Sequence, residues 1–253
     1  MQGIRDTVKK IILLLKYFFQ MIFYKQYTEL LGKKHFSRLQ VVESGQQIKD
    51  VRGIKDIFLA NTIEEAFFVR EDVFDMLVKA MSLLPKGNNL YFICGFRSIE
   101  TQRRDWDNKF EQMKKIYSEK LSNKQIIEKT NLLVANPDIY RAPHITGGSV
   151  DVRLCADDGK ILDMGRMSNL SSEKDFQSIK MFSPVISDVQ KKNRKILRNA
   201  MTKAGFSFYP GEWWHYSYGN RDWAAYSFKR KCFFGPIYLT SNNELRFYET
   251  RER

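Results

Sequence analysis

The sequence has only three cysteines in 253 residues, and Cys94, Cys155 and Cys232 lie far apart along the chain. There is no Cys-x-x-Cys pair, so neither a thiolate zinc knuckle nor a disulfide framework is supported. An odd number leaves at least one thiol without an intrachain partner, which favours a reducing compartment. Cys94 lies in an apolar run, and we expect it to be an ordinary core residue.

The sequence also lacks internal repeats, low-complexity segments and a linker rich in proline, glycine or serine. Hydrophobic residues make up 43% and aromatic residues 14% of the chain, which excludes a disordered or collagen-like protein. We expect one compact catalytic domain over residues 46–253, preceded by an extension over residues 1–45. The net charge of +13 favours solubility and contact with anionic surfaces. No nucleic-acid-binding motif accompanies it, so no nucleic-acid partner is expected.

The extension contains a run from Ile11 to Tyr24 that is apolar except for Lys16 and Gln20. As a helix it would reach about 21 Å, which is short of a hydrocarbon core of about 30 Å. No small-residue cleavage site follows it, so a removable signal peptide is poorly supported. The favoured interpretation is an amphipathic helix that contacts a membrane surface, through residues 8–27, or the protein itself. An uncleaved membrane anchor is the alternative.

The hydrophobic pattern predicts several elements of the domain. Helical spacing of apolar residues occurs over residues 71–84, 106–117, 126–133 and 188–204, the last beginning after a capping Ser187 and ending at Gly205. Strands are expected at 90–95 and 150–154, with a final aromatic strand at 213–218. Because strands and helices do not alternate strictly, we expect an α+β fold with an antiparallel sheet flanked by helices.

Two of the three histidines have a carboxylate near them in the sequence. His144 and Asp151 are seven residues apart, and they can meet only if Gly147 and Gly148 let the chain turn. Imidazole nitrogens and carboxylate oxygens are good zinc ligands, and His215 is the plausible third donor. Three protein ligands leave a position for water, as in catalytic zinc sites.

Two further residues suit peptide hydrolysis at such a site. Glu212 lies three residues before His215, and if it ends a loop where His215 begins a strand, both can approach one metal. A carboxylate that is not a ligand can pass the proton of the water to a leaving amine. Arg97 follows the predicted strand at 90–95, where a fixed guanidinium can stabilise an oxyanion.

These residues also carry a family resemblance. In chain order they are Gly95-Phe96-Arg97 with Gln102, then His144-x-x-Gly147-x-x-x-Asp151, then Glu212-Trp213-Trp214-His215. As a set, in this order and at these separations, they resemble the D-alanyl-D-alanine dipeptidases, zinc peptidases that share a fold with DD-carboxypeptidases and the Hedgehog signalling domain. The resemblance covers about residues 50–237 and implies that fold for this chain.

The resemblance implies one zinc ion per chain, bound by His144, Asp151 and His215. It implies that Glu212 is the general acid/base and that Arg97 stabilises the transition state. The expected reaction is the hydrolysis of the free dipeptide D-alanyl-D-alanine to two D-alanines, linked to peptidoglycan metabolism.

Substrate contacts are expected at Gln102 and Asn169. The family usually has an aspartate at the position of Asn169, where it would hold the amino group of the substrate, and often a serine at the position of Ala142. Asparagine keeps the acceptor oxygen but loses the charge, so a charge-assisted bond becomes a weaker neutral one.

Two other functions stay open at this point. One is a D,D- or L,D-carboxypeptidase that acts on peptidoglycan stem peptides by the same mechanism, and the other is a non-catalytic binding domain stabilised by zinc. Free dipeptide as substrate and an unpaired thiol fit a cytoplasmic location. An enzyme anchored in the inner membrane and facing the periplasm is the alternative.

Overall fold

The structure, a computed structural model, describes residues 39–137, 142–168, 170–240 and 245–247. The predicted helix over residues 11–24 and the predicted substrate residue Asn169 lie outside the described residues. Of the predicted extension over residues 1–45, only residues 39–45 are described. None of the helices in the described ranges combines the length and the hydrophobicity needed to span a bilayer.

The described residues contain six helices, of which four lie where apolar spacing predicts them and two short ones, over 173–178 and 221–226, were not predicted. They are α1 (Glu71–Ser82), α2 (Ile99–Tyr117), α3 (Asn123–Asn131), α4 (Glu173–Ser178), α5 (Asp188–Ala204) and α6 (Arg221–Tyr226). Short 3-10 turns lie at Val51–Gly53, Glu64–Phe67 and Pro143–Thr146. The prediction of a cap is confirmed at α5, where the Ser187 side chain accepts a hydrogen bond from the Gln190 amide and Gln190 bonds back to complete a capping box.

The strands of the described residues are β1 (Gln40–Val41), β2 (Ile48–Asp50), β3 (Phe58–Leu59), β4 (Phe68–Arg70), β5 (Asn89–Cys94), β6 (Ser149–Cys155), β7 (Ser207–Phe208), β8 (His215–Ser217), β9 (Lys231–Cys232), β10 (Ile237–Leu239) and β11 (Leu245–Phe247). Five of them form a central sheet in the order β3-β5-β6-β8-β7. The pairs β5–β6, β6–β8 and β7–β8 are antiparallel, so the predicted α+β class is confirmed. The sheet is not wholly antiparallel, because the edge pair β3–β5 is parallel.

The aromatic segment at 213–218 differs from the prediction. Only His215–Ser217 is a strand, and β9, β10 and β11 follow it, so it is not the final strand. Trp213 and Trp214 lie in a turn, where the Trp213 amide donates to the carbonyl of Ile179 and both indoles are buried in the core. Their aromatic character therefore reflects packing of the turn rather than strand pairing.

The core lies between the central sheet and the pair α1 and α5, which contact each other. Each contributes an apolar face to one cluster, to which β5 and β6 add their inward residues, and typical members are Val73, Leu77, Phe92, Val152, Leu197 and Met201. The alternating burial of β5 shows that one of its faces is turned to this core. The site described below lies at the end of the same sheet.

Buried Arg194 of α5 ties the segments around the Trp-Trp turn together. Its guanidinium donates to the carbonyls of Met164, Lys180 and Ser178 at 2.6–3.0 Å and lies over the ring of Trp213, 5.2 Å from its centroid. The Trp213 indole N–H in turn donates to the carbonyl of Arg166 at 2.9 Å. Arg194 thereby supports the turn that leads into β8.

Arg70, at the end of β4, has a similar role around the turn that carries His144. Its side chain is fully buried and donates to the carbonyls of Thr146, Gln46 and Gly235 at 2.8, 2.6 and 3.3 Å. It also forms an ion pair with Glu43 at 3.1 Å. Arg70 therefore joins the turn after His144 to segments near both ends of the described chain.

The described part of the predicted extension packs against the domain. Strand β1 pairs in parallel with β9, and Leu39 is buried in a small cluster with Ala224, Ala225 and Cys232. The boundary at residue 45 stays a prediction.

Replacing Arg194 by methionine should destabilise the protein by about 3 kcal/mol, because three buried carbonyls lose a charged donor. The measurement is guanidinium chloride unfolding with chelator present, so that metal binding does not contribute. Lys195→Met, an exposed neighbour on the same helix, is the control and should change the free energy of unfolding by no more than about 0.5 kcal/mol. Equal stability of the two variants would contradict the assigned role of Arg194.

Candidate metal centre

His144 reaches the site from a tight turn. The 3-10 turn Pro143–Thr146 ends at Gly147, whose φ of 67° lies in the left-handed region that glycine adopts without strain. The turn reverses the chain just before β6, so His144 and Asp151 approach each other although seven residues separate them. The predicted role of a glycine in this turn is thus confirmed at Gly147.

His215 and Asp151 meet because of strand register. They are directly opposite each other in the antiparallel ladder of β6 and β8, and opposite residues point to the same face of a sheet. The Glu-Trp-Trp turn ends where β8 begins, so His215 is the first residue of its strand. This is the loop-to-strand arrangement that the sequence required.

The three predicted ligands form a compact triangle of donor atoms. His215 Nδ1 lies 3.1 Å from Asp151 Oδ1, His144 Nε2 lies 3.4 Å from the same oxygen, and the two imidazole nitrogens are 3.2 Å apart. Tetrahedral zinc with ligand bonds near 2.0–2.1 Å places neighbouring donors about 3.3 Å apart. The residues therefore fit a zinc ion with little rearrangement, and all three side chains are nearly buried.

The other nitrogen of each imidazole contacts a different partner. His144 Nδ1 lies 2.7 Å from the carbonyl of Gly95, which can only accept, so Nδ1 carries the proton and Nε2 faces the triangle. His215 is turned the other way, with Nε2 3.2 Å from Ser217 Oγ and Nδ1 in the triangle. Such outer contacts orient ligand rings toward a metal.

The charges of Asp151 and His144 shift each other's pKa. Burial alone would raise the pKa of Asp151, but the positive charge of His144 outweighs it and lowers the pKa below the ordinary aspartate range. Burial alone would lower the pKa of His144, and the charge of Asp151 raises it instead. Both shifts favour the charged forms of Asp151 and His144, so a metal ion that binds between them must displace a proton from His144.

Glu212 lies in the turn before β8, within electrostatic reach of Asp151 and His144. Burial and the charge of Asp151 raise the pKa of Glu212 well above the ordinary glutamate range, although His144, Arg97 and Lys109 act in the opposite direction. A carboxylate with a raised pKa beside a metal site is suited to accept and return a proton.

Arg97 lies three residues after β5, and its side chain is 18% exposed. Its guanidinium donates to Gln102 Oε1 at 3.2 Å and to Cys94 Sγ at 3.7 Å and pairs with Asp105 at 3.4 Å. These contacts hold the guanidinium in one orientation, as oxyanion stabilisation requires. The bond to Arg97 also gives buried Gln102 a structural role, since its Nε2 donates to the carbonyl of Ala135 while its Oε1 accepts from Arg97. Substrate contact by Gln102 stays a prediction.

Cys94 and Lys109 are two of the residues near the site that the sequence did not reveal. Cys94 is buried as expected, but it is not an ordinary core residue, because its Sγ and ligand atoms of His144 and Asp151 all lie within 4.8 Å of one another. Burial alone would raise the pKa of the Cys94 thiol, and the charges of Arg97 and His144 lower it. Lys109 of α2 is the other, and burial lowers its pKa while the charge of Glu212 opposes the change. Neither had a motif that would have revealed it.

Two imidazoles and a carboxylate around one point, with a second carboxylate and a guanidinium nearby, are typical of a zinc-dependent hydrolase. A family model described as Peptidase M15, D-Ala-D-Ala dipeptidase, matches residues 34–233. The chain belongs to this family, which confirms the predicted resemblance.

Individual relatives share shorter segments. A D-alanyl-D-alanine dipeptidase of Synechocystis is 36% identical over 96 residues, covering 35% of this chain and 39% of the relative. One of Enterococcus faecalis is 30% identical over 91 residues, covering 36% of this chain and 43% of the relative. The chain thus spans about two fifths of the length of the curated relatives it matches. Among solved structures, the LdcB LD-carboxypeptidase is 17% identical with a TM-score of 0.41, over 75% of this chain and 80% of that one.

Zinc affinity should fall as the pH is lowered, because zinc and protons compete for the same donor atoms. The raised pKa of His144 keeps its imidazole protonated near neutral pH, so zinc must displace a proton, and the proton concentration that zinc competes with rises as the pH falls. We expect up to about a tenfold loss of affinity per pH unit for each displaced proton. Competition with a chelator, corrected for the chelator's own protonation, measures this between about pH 6 and pH 8.

Asp151→Asn is the matched variant for this measurement. It removes the charge that raises the pKa of His144. It should bind zinc more weakly, because a neutral amide replaces a charged ligand, and with a flatter pH dependence, because less proton has to be displaced from His144. A pH-independent zinc affinity in the unaltered protein would rule out proton competition at this site.

Proposed function

We propose that this chain is a zinc-dependent peptidase that hydrolyses the dipeptide D-alanyl-D-alanine to two D-alanines. The observation that carries the proposal is the triangle of donor atoms, 3.1–3.4 Å apart, formed by His144, Asp151 and His215. Membership of the dipeptidase family supports the reaction class and a link to peptidoglycan metabolism.

Each residue then has one task. His144, Asp151 and His215 would hold a zinc ion, which would lower the pKa of a bound water and polarise the scissile carbonyl. Glu212 accepts a proton from the attacking water at a carboxylate oxygen and donates it to the nitrogen of the leaving D-alanine. Arg97 stabilises the negative charge that develops on the carbonyl oxygen of the substrate. Gln102 and Asp105 keep the guanidinium of Arg97 in position.

Glu212→Ala should lower the turnover of D-alanyl-D-alanine by roughly a hundredfold to ten-thousandfold, because the proton then has no carrier. Zinc content, measured by elemental analysis, should stay at one ion per chain since Glu212 is not a ligand. Glu128→Ala, an exposed carboxylate of α3, is the control and should leave both quantities unchanged. Retained turnover after complete loss of zinc would contradict the proposed mechanism.

The second candidate function is a carboxypeptidase that acts on longer stem peptides. The asparagine at position 169 favours it, because a neutral side chain binds the free amino group of a dipeptide less firmly than a carboxylate does. A panel of D-alanyl-D-alanine, its N-acetyl derivative and a stem pentapeptide distinguishes the two. A dipeptidase should cleave the free dipeptide and leave the acetylated one nearly intact. Preference for the pentapeptide would favour a carboxypeptidase, and zinc binding without hydrolysis of any member would favour a non-catalytic domain.

We further propose a cytoplasmic location, in which free dipeptide would be the substrate. The support is that the buried thiols of Cys94 and Cys155 form no disulfide, as expected in a reducing compartment. The alternative is an enzyme attached to the inner membrane through residues 8–27 and facing the periplasm. Fractionation of cells that express the full chain or a variant lacking residues 11–24 shows whether this segment binds the membrane. Protease treatment of spheroplasts shows the side, since digestion of the domain from the periplasmic face would contradict a cytoplasmic location.

A further inference from the structure

A row of buried hydroxyl and amide groups lies behind His215, on the side away from the donor triangle. Ser217 Oγ is 3.2 Å from His215 Nε2 and 2.8 Å from Ser149 Oγ, and the Asn220 side-chain amide donates to Ser149 Oγ at 2.8 Å. Ser149, Ser217 and Asn220 are at most 2% exposed. Buried polar side chains are almost always hydrogen-bonded, and a satisfied network of this kind rigidifies the groups it contacts.

Strand register produces this row together with the triangle. Ser149 is opposite Ser217 in the β6–β8 ladder, two residues along from the Asp151–His215 pair. Because side chains alternate with a period of two, both pairs point to the same face. Asn220 caps α6 by accepting from the Trp223 amide through Oδ1, which directs its Nδ2 toward Ser149.

The two histidines of the triangle present different nitrogens, and their outer partners account for the difference. His144 donates through Nδ1 to a backbone carbonyl and presents Nε2. His215 must do the opposite, since its Nδ1 lies in the triangle. An imidazole that binds a metal through Nδ1 carries its proton on Nε2, and in a buried site that proton needs an acceptor. Ser217 Oγ is placed to accept it.

We propose that Ser217 is a positioning residue that holds His215 in the tautomer and orientation needed to bind zinc through Nδ1. Ser149 and Asn220 act through Ser217, because their hydrogen bonds fix the direction of its hydroxyl. The inference rests on the proposed function only in assuming that His215 binds the metal.

The test is the zinc affinity of single serine variants, measured by chelator competition. Ser217→Ala should bind zinc about 10- to 100-fold more weakly, the range found for outer partners of metal ligands. Ser149→Ala should lose less zinc affinity, because Ser149 contacts Ser217 and not His215. Ser207→Ala is the matched control: Ser207 is a buried serine opposite Ser217 in β7, but its hydroxyl donates to the Ser217 carbonyl and not to the histidine. It should keep its affinity within about twofold of the unaltered protein.

A second readout reports the tautomer directly. The chain has only three histidines, so ¹⁵N NMR of their side chains is tractable. In the zinc-loaded protein His215 should carry a proton on Nε2 that exchanges slowly with water, and in zinc-loaded Ser217→Ala this exchange should be faster. Ser217→Thr, which keeps the hydroxyl, should restore the affinity and the slow exchange.

Equal zinc affinity of Ser217→Ala and the unaltered protein would overturn the inference and leave the proposed function intact. An equal loss in Ser207→Ala and Ser217→Ala would also overturn it, since the effect would then be general to the sheet. An unaltered protein that binds no zinc would overturn the proposed function, and this inference with it.

Discussion

The pairing of Asp151 with His215 across β6 and β8 is the contact on which the site depends. It places a carboxylate and an imidazole opposite each other through main-chain hydrogen bonds, without relying on flexible side chains. A slip of one residue in this register would turn one of them to the other face of the sheet. The same slip would separate Ser149 from Ser217, so one strand register positions both the metal ligands and the hydroxyl groups behind them.

The second constraint is close packing around the His144 turn. A Cβ atom on Gly95 would lie 2.5 Å from the Phe68 carbonyl, so only glycine fits where the chain offers its own carbonyl to His144. Arg70 holds the other end of the turn through the Thr146 carbonyl. Backbone contacts therefore fix His144, and the sheet fixes Asp151 and His215. This limits the reorganisation that metal binding requires.

Much of this arrangement could be predicted from local patterns. Helices α1, α2, α3 and α5 follow from apolar spacing, and the start of α5 follows from Ser187, because caps and periodicity act within a few residues of chain. The convergence of His144, Asp151 and His215 could be proposed because each lies beside turn residues or a carboxylate. The parallel β3–β5 pair, the shortness of β8 and the position of Cys94 could not be predicted. They depend on contacts between distant segments, and an apolar run such as the one around Cys94 does not show which side chain faces a site.

The ion pair between Arg70 and Glu43 affects how the protein can be shortened for laboratory work. Residues 39–45 fall within the N-terminal extension by composition, yet Glu43 is the carboxylate paired with a guanidinium that has no solvent exposure. A truncated chain starting at residue 46 would leave that cation buried without its counter-charge, a change that typically costs about 3–5 kcal/mol. Since the same guanidinium bonds to the turn that carries His144, such a trimmed protein would lose metal along with stability. Its inactivity would therefore not test whether residues 8–27 contact a membrane.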